Sequence, residues 1–201
     1  MRELIVATKN AKKLEEIRHL LAGMRVRVSS LADFSRTPEI REDGDTFGKN
    51  AAKKALTIAR FSGKLTMGED SGLCVDALKG APGVYSARFA GRGKDDLKNN
   101  AKILRLLKEI KNPRKRSCRY VCAAAIADKS GLIGVVEGEC RGQIGFEPKG
   151  TFGFGYDPIF VIPAYKKTFA QLGPTVKHRM SHRFKALVKA KRLLERYFTR
   201  A

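Results

Sequence analysis

The 201-residue chain has no tryptophan, no pair of cysteines in CxxC spacing, and only 20 acidic residues against 41 lysines and arginines. Each shortage excludes something. No apolar run approaches the ~18 residues that a membrane-spanning helix requires. The opening Met1-Arg2-Glu3-Leu4-Ile5-Val6-Ala7 runs into charged helix too soon for a secretory signal, so a soluble, cytoplasmic protein is expected. Cys74, Cys118, Cys122 and Cys140 stand singly in apolar, strand-like surroundings. A cysteine–histidine zinc site needs closer ligand pairs, and reduced, buried thiols are the expectation. The glycine spacing of a Walker loop is missing, and no internal repeat or linker divides the chain.

What is present is a composition that can fold. The chain is 43% hydrophobic with 11 phenylalanines, enough for a sizeable core. The net charge of +21 argues for polyanionic partners, either nucleic acid or phosphorylated small molecules. The basic residues are spread over every helix. The densest run, Lys111-Asn112-Pro113-Arg114-Lys115-Arg116, reads as a solvated loop tip, and nucleic-acid binding is not expected from it.

Four stretches carry candidate chemistry. The first is the apolar strand Leu4–Ala7, which ends at Thr8-Lys9-Asn10; Leu14, Ile17, Leu20 and Leu21 then recur at helical spacing. A strand feeding a helix start gathers free N–H groups and the positive end of the helix dipole, which favours anions. Asn10 is placed to cap that helix, and Lys13 lies one turn in. The second stretch is the acidic cluster Glu39, Glu42, Asp43 and Asp45, followed by Thr46 as cap of a helix with the apolar stripe Phe47, Ala51, Ala55, Ile58 and Ala59. The opposite face of that helix carries Asn50, Lys53 and Lys54.

The third is Gly68-Glu69-Asp70-Ser71-Gly72-Leu73, a strand-like segment in which Glu69 and Asp70 are expected to point to opposite faces. Glu42 approaches the pair if the strands lie side by side. The fourth, Gly150-Thr151-Phe152-Gly153-Phe154-Gly155-Tyr156-Asp157-Pro158, alternates glycine with aromatics and suits either stacking on a planar base or a packing corner. A helix beginning at Asp95 and a hairpin turning at Asp128–Gly131 lie between the third and fourth. Finally, Ser181 caps the last helix and leaves His182 and Arg183 in its first turn. Positive charge there costs roughly a few tenths of a kcal/mol, which suggests that both serve a ligand.

In this order and spacing, the chain resembles the non-canonical purine nucleoside triphosphate pyrophosphatases, the inosine triphosphatase family. The motifs that carry the resemblance are Thr8–Lys13, Glu42–Phe47 with Asn50 and Lys54, Glu69–Leu73, Gly80–Gly83, Tyr85–Arg88, Gly153–Pro158 and Ser181–Arg183. The resemblance implies an α/β fold, with a long twisted mixed sheet and flanking helices forming two lobes around a central nucleotide cleft. It implies one domain over residues 1–201, a homodimer, and magnesium-dependent hydrolysis of ITP, dITP and XTP to the monophosphate and pyrophosphate.

By position, the resemblance makes Asp70 the base and a metal-linked residue, with Glu42 a further metal-binding carboxylate. It gives Thr8, Lys9, Asn10, Lys13 and Lys54 to the triphosphate. Ser71, Phe154, Gly155, Tyr156, Asp157, Lys177, His182 and Arg183 fall to the nucleoside. Two departures stand out. Lys9 replaces a common glycine and adds charge to the phosphate loop, and Glu69-Asp70 replaces an Asp-Asp pair. Glu69 is a third candidate for the metal. The chemistry also asks that a donor such as Arg183 or His182 face the C6 keto group of the base, since adenine presents an amine there.

Overall fold

A computed structural model describes residues 2–200 of the chain, leaving out Met1 and Ala201. Seven strands form one mixed sheet, β1 (Arg2–Val6), β2 (Val26–Ser30), β3 (Thr66–Val75), β4 (Ser117–Asp128), β5 (Gly131–Ile144), β6 (Phe160–Ile162) and β7 (Lys167–Thr168), in the order β2-β1-β3-β4-β5-β6-β7. β1 runs parallel to both β2 and β3, whereas β5–β6 and β6–β7 are antiparallel. Five helices accompany the sheet: α1 (Ala11–Leu21), α2 (Phe47–Ser62), α3 (Asp96–Leu106), α4 (Phe169–Met180) and α5 (His182–Arg200). The mixed α/β architecture expected from the sequence is the one found. Among the described residues no helix is long and apolar enough to cross a membrane, and the four cysteines are buried and form no disulfide.

The chain divides into two compact units, residues 1–70, 122–138 and 183–201 in the first and 71–121 and 139–182 in the second. In the first unit, the two-residue period of the strands sorts side chains onto two faces. Leu4, Val6 and Met67 pack with Ile17 and Leu21 of α1 and with Leu187, Ala190 and Leu194 of α5. Ile5 and Ala7 face the other way, onto Ile58 of α2. Each such fully buried aliphatic side chain contributes about 2 kcal/mol relative to exposure. α2 starts at Thr46, whose hydroxyl accepts from Lys49 N at 3.1 Å, and stops at Gly63 in the left-handed conformation, φ 69°.

α2 also comes very close to β3. A Cβ on Gly68 would lie 2.1 Å from the Ala51 carbonyl oxygen and 2.7 Å from Ala55 N. Only glycine admits that approach.

In the second unit, Leu73, Val75, Ile103, Leu107, Tyr120 and Ile144 join Phe160 and Phe169 in one core. Tyr120 packs on Phe160 at 4.5 Å between ring centres, and Phe160 stacks on Phe169 at 5.1 Å. Asp95 caps α3, its carboxylate accepting from Lys98 N at 3.0 Å. α4 has no counterpart in the sequence reading. Its capping box, Thr168 with Gln171, is well formed, but Gly173-Pro174 interrupts it and Gly173 departs from helical geometry at φ 75° and ψ −177°. A Gly-Pro pair is a strong breaker signal, and it hides two short helical pieces.

Candidate active site

In the first unit, β1 delivers the chain to an open loop. Thr8 is half-buried there, while Lys9 and Asn10 are exposed. Thr8 Oγ1 accepts from Asn10 N at 3.1 Å, and Asn10 Oδ1 caps α1 by accepting from Lys13 N at 3.2 Å. Asn10 is thus a helix cap, as its residue type suggested. The remaining first-turn N–H groups and the Lys13 ammonium supply the positive character of this corner.

The carboxylates sit on β3, and the strand's alternation separates them. Asp70 shares the face of Gly68 and meets α2. Its Oδ2 accepts from Asn50 Nδ2 at 3.1 Å, and its Oδ1 lies 3.2 Å from Lys54 Nζ. The same ammonium is 2.9 Å from Glu42 Oε2 and donates to the Glu69 carbonyl at 3.1 Å. Glu42 and Asp70 therefore converge on one cationic group. Asn50 and Lys54 are buried, at 2% and 7% exposure, so the polar side of α2 is turned inward at these two positions. Asn50 also fixes the acidic loop, accepting from Gly44 N at 2.8 Å.

Glu69 shares the face of Met67 and meets α1 and α5. Its Oε1 lies 3.2 Å from Arg183 Nε, 3.1 Å from Arg183 Nη2 and 3.1 Å from Cys122 Sγ. Its Oε2 is 2.7 Å from Lys13 Nζ. Arg183 Nη1 reaches Glu16 at 2.6 Å. Burial favours the protonated acid, yet Arg183 and then Lys13 hold the Glu69 carboxyl well below the usual glutamate range. Asp70 goes the other way. Burial raises it, the Lys54 ammonium opposes, and Glu42 adds to the rise. In Glu42 burial is outweighed by Lys54 and the carboxyl is lowered; in Lys54 burial is outweighed by Asp70 and Glu42, which raise it.

The second unit gathers Phe154–Asp157, Lys177 and His182. Asp157 Oδ2 accepts from Phe154 N at 2.9 Å and from Lys177 Nζ at 2.6 Å. Asp157 and Lys177 are 1% and 3% exposed. Lys177 Nζ also lies 4.5 Å from the centre of the Phe154 ring. A Cβ on Gly153, at φ 89°, would fall 2.1 Å from Asp157 Oδ2, which explains the glycine there. α3 holds the loop from below, Asp96 accepting from Gly155 N at 2.7 Å and Asn100 donating to the Gly155 carbonyl at 3.0 Å. Tyr156 is a core residue whose hydroxyl donates to the Ser86 carbonyl at 2.8 Å. His182 stacks on Tyr120, 4.5 Å apart and 9° from parallel. Ser71 is half-buried on β3.

Thus nine of the sequence-predicted residues, Thr8, Lys9, Asn10, Lys13, Glu42, Lys54, Glu69, Asp70 and Arg183, fall in the first unit, and Ser71, Phe154–Asp157, Lys177 and His182 in the second. Asn50, Glu16, Cys122, Asp96 and Tyr120 were not singled out for the site. Asn50, standing among the family motifs four residues before Lys54, carried the one signal that could have found it.

The model of the Ham1 family matches residues 4–193. The chain belongs to the Ham1 family. A dITP/XTP pyrophosphatase of Desulforamulus reducens is 50% identical over 196 residues, 98% of this chain and 97% of the relative. The dITP/XTP pyrophosphatase of Bacillus subtilis is 44% identical over 97% of this chain and 98% of its own length. Among solved structures, a Ham1 protein from Coxiella burnetii superposes with a TM-score of 0.90 at 36% identity, covering 98% of this chain and all of the other. Within the Ham1 fold, then, the alternation of β3 gives this member one carboxylate facing α2 and one facing α1 and α5.

Proposed function

We propose that the chain hydrolyses deaminated purine nucleoside triphosphates, dITP, ITP and XTP, to the monophosphate and pyrophosphate, as a cytoplasmic homodimer that clears them from the nucleotide pool. The observation that carries this reading is the Glu42–Lys54–Asp70 cluster in a chain of this family. Two carboxylates already meet around one ammonium, so the donor set suits a cation, and magnesium characteristically takes one or two carboxylates plus substrate phosphates. Among the described residues no three His, Cys, Asp or Glu side chains converge as a metal cage. Glu42 and Asp70 would hold the magnesium; Glu69, engaged by Arg183 and Lys13, is not assigned to it. When bound, the ion would neutralise phosphate charge.

The chain's own groups do the rest. Asp70, its proton affinity raised by burial, takes the proton of the attacking water. Lys13, Lys54 and the start of α1 meet the triphosphate and absorb the charge that develops on the departing pyrophosphate. Thr8 and Lys9 add donors on the same loop.

In the second unit Phe154 offers a flat face, and Lys177 and His182 offer donors. A donor opposite the C6 oxygen rejects ATP, because adenine leaves it buried and unpaired. The Arg183 guanidinium is engaged by Glu16 and Glu69 and the Lys177 ammonium by Asp157, so base reading is assigned to His182 first. Ser71 and Asp157 set the frame, and Tyr156 packs beneath.

The test is pyrophosphate release from ITP, dITP, XTP, ATP, GTP and dUTP, with magnesium and with chelator. Metal-dependent release confined to the first three supports the reading. Release from dUTP alone would overturn the base assignment, and no release from any would overturn the reaction.

A further inference from the structure

Residues 98–115 carry seven lysines and arginines against one acidic residue, Glu109. Lys98, Arg105, Lys108, Lys111, Arg114 and Lys115 are all exposed. Among the described residues, the one ion pair that any of these six makes is Lys98 with Asp95, at 3.5 Å. Lys111 donates to the Lys108 carbonyl, which leaves its charge unneutralised. Lys98 and Arg105 stand seven residues apart, two turns along one face of α3.

The segment is held firmly in place. The buried Arg116 anchors it by donating to the carbonyls of Leu107 (2.7 Å), Ile110 (3.2 Å), Ile144 (2.8 Å) and Gly145 (2.6 Å). The run read from sequence as a solvated tip is therefore exposed at its first residues and locked at its last.

We infer that the outer face of α3 and the loop after it form a docking surface for the sugar–phosphate backbone of nucleic acid, without regard to base sequence. Duplex DNA carries one negative charge per ≈ 1.7 Å of its axis, so a firmly held cluster of exposed cations, five of the six without an ion pair among the described residues, fits it by charge alone. A lipid surface fits less well. The exposed apolar residues of α3, Leu97 at 80% and Leu106 at 47%, are nine positions apart and point to opposite sides of the helix, so no apolar stripe is available to enter a membrane. Residues 98–115 include no aromatic side chain that would stack on bases. None of the six cations is among the residues assigned to hydrolysis or to the nucleoside.

Anisotropy of a fluorescein-labelled, random-sequence DNA duplex of about two helical turns, titrated with the whole protein over a range of salt, tests this. Binding should weaken steeply as salt rises. The triple variant Arg105→Gln, Lys111→Gln, Lys115→Gln should lose at least about tenfold in affinity at low salt, and its salt slope should flatten by about 0.9 for each phosphate contact removed. Its pyrophosphate release should be unchanged. A matched triple on α5, Lys189→Gln, Arg192→Gln, Arg196→Gln, should change affinity by less than about threefold if the surface is local. Equal losses in the two triples would overturn the proposal in favour of diffuse charge. So would an absence of binding at low salt, or tighter binding to vesicles containing anionic phospholipid than to the duplex.

Discussion

Glu69 and Asp70 are neighbours on β3, both carboxylates and both nearly inaccessible, at 4% and 6% exposure. They differ in what lies across from them. Glu69 meets a guanidinium, an ammonium and a thiol whose proton burial retains; it has more positive partners than it needs, and its proton affinity falls. Asp70 shares a single ammonium with Glu42 and takes an amide N–H from Asn50; it has less than it needs, and its affinity rises. Where two carboxylates are pushed apart in this way, the raised one is suited to take a proton and the lowered one to hold a framework. One residue of strand period separates the proposed base from a structural ion.

That contrast can be broken experimentally. The largest effect should come from Asp70→Asn, which keeps the hydrogen bond from Asn50 but removes the base. Turnover should drop by about a thousandfold or more while nucleotide affinity, measured by calorimetry, stays within a few fold. Normal turnover would end the assignment.

Next is Glu69→Gln. It strands the buried Arg183 charge against Glu16 alone, and should cost about 3–5 kcal/mol in urea unfolding, with the surviving folded fraction turning over far better than Asp70→Asn. Loss of turnover at full stability would reverse the two roles. The pH dependence sharpens the point. In the folded chain Glu69 holds its proton less tightly than in the unfolded chain, so the unfolded state binds more protons and stability rises with pH. That stabilisation is present above the ordinary glutamate range and is lost as pH falls through the lowered folded value. Glu69→Gln should flatten the acid limb of a stability profile, and an unchanged limb would remove Glu69 as its source.

The smallest effect belongs to Cys122→Ala, which deletes one donor to Glu69. A cost of about 1 kcal/mol is expected, largely restored in Cys122→Ser. Turnover should stay within twofold, and a large loss there would extend the reactive region to the Glu69 face.

Much of this was legible in the sequence because it is local. The opposite facing of Glu69 and Asp70 follows from the strand period, and the caps Asn10, Thr46 and Asp95 follow from residue type and position. The convergence of Glu42 on Asp70 was anticipated from strand placement. What stayed hidden is non-local. Arg183 meets Glu69 across 114 residues and Glu16 across 167, and nothing in the local pattern around any of the three announces the others. Its place in the first turn of α5 points to a ligand, and in the structure its guanidinium is paired with two carboxylates of the same chain. Asn50 and Lys54 read as the face of α2 opposite its apolar stripe, and polarity is usually a guide to exposure. Here buried acidic partners invert it.

If Glu42 and Asp70 hold a metal as proposed, Lys54 has a consequence for the protein before the ion arrives. Zinc fingers owe their fold to their ion, since without it their ligands have nothing to hold. Here a tethered ammonium stands as placeholder between Glu42 and Asp70, so the two acids do not repel each other across an empty gap. On the metal reading proposed above, an arriving ion would find the two carboxylates already gathered. The same ammonium would compete for them and so would keep the ion exchangeable.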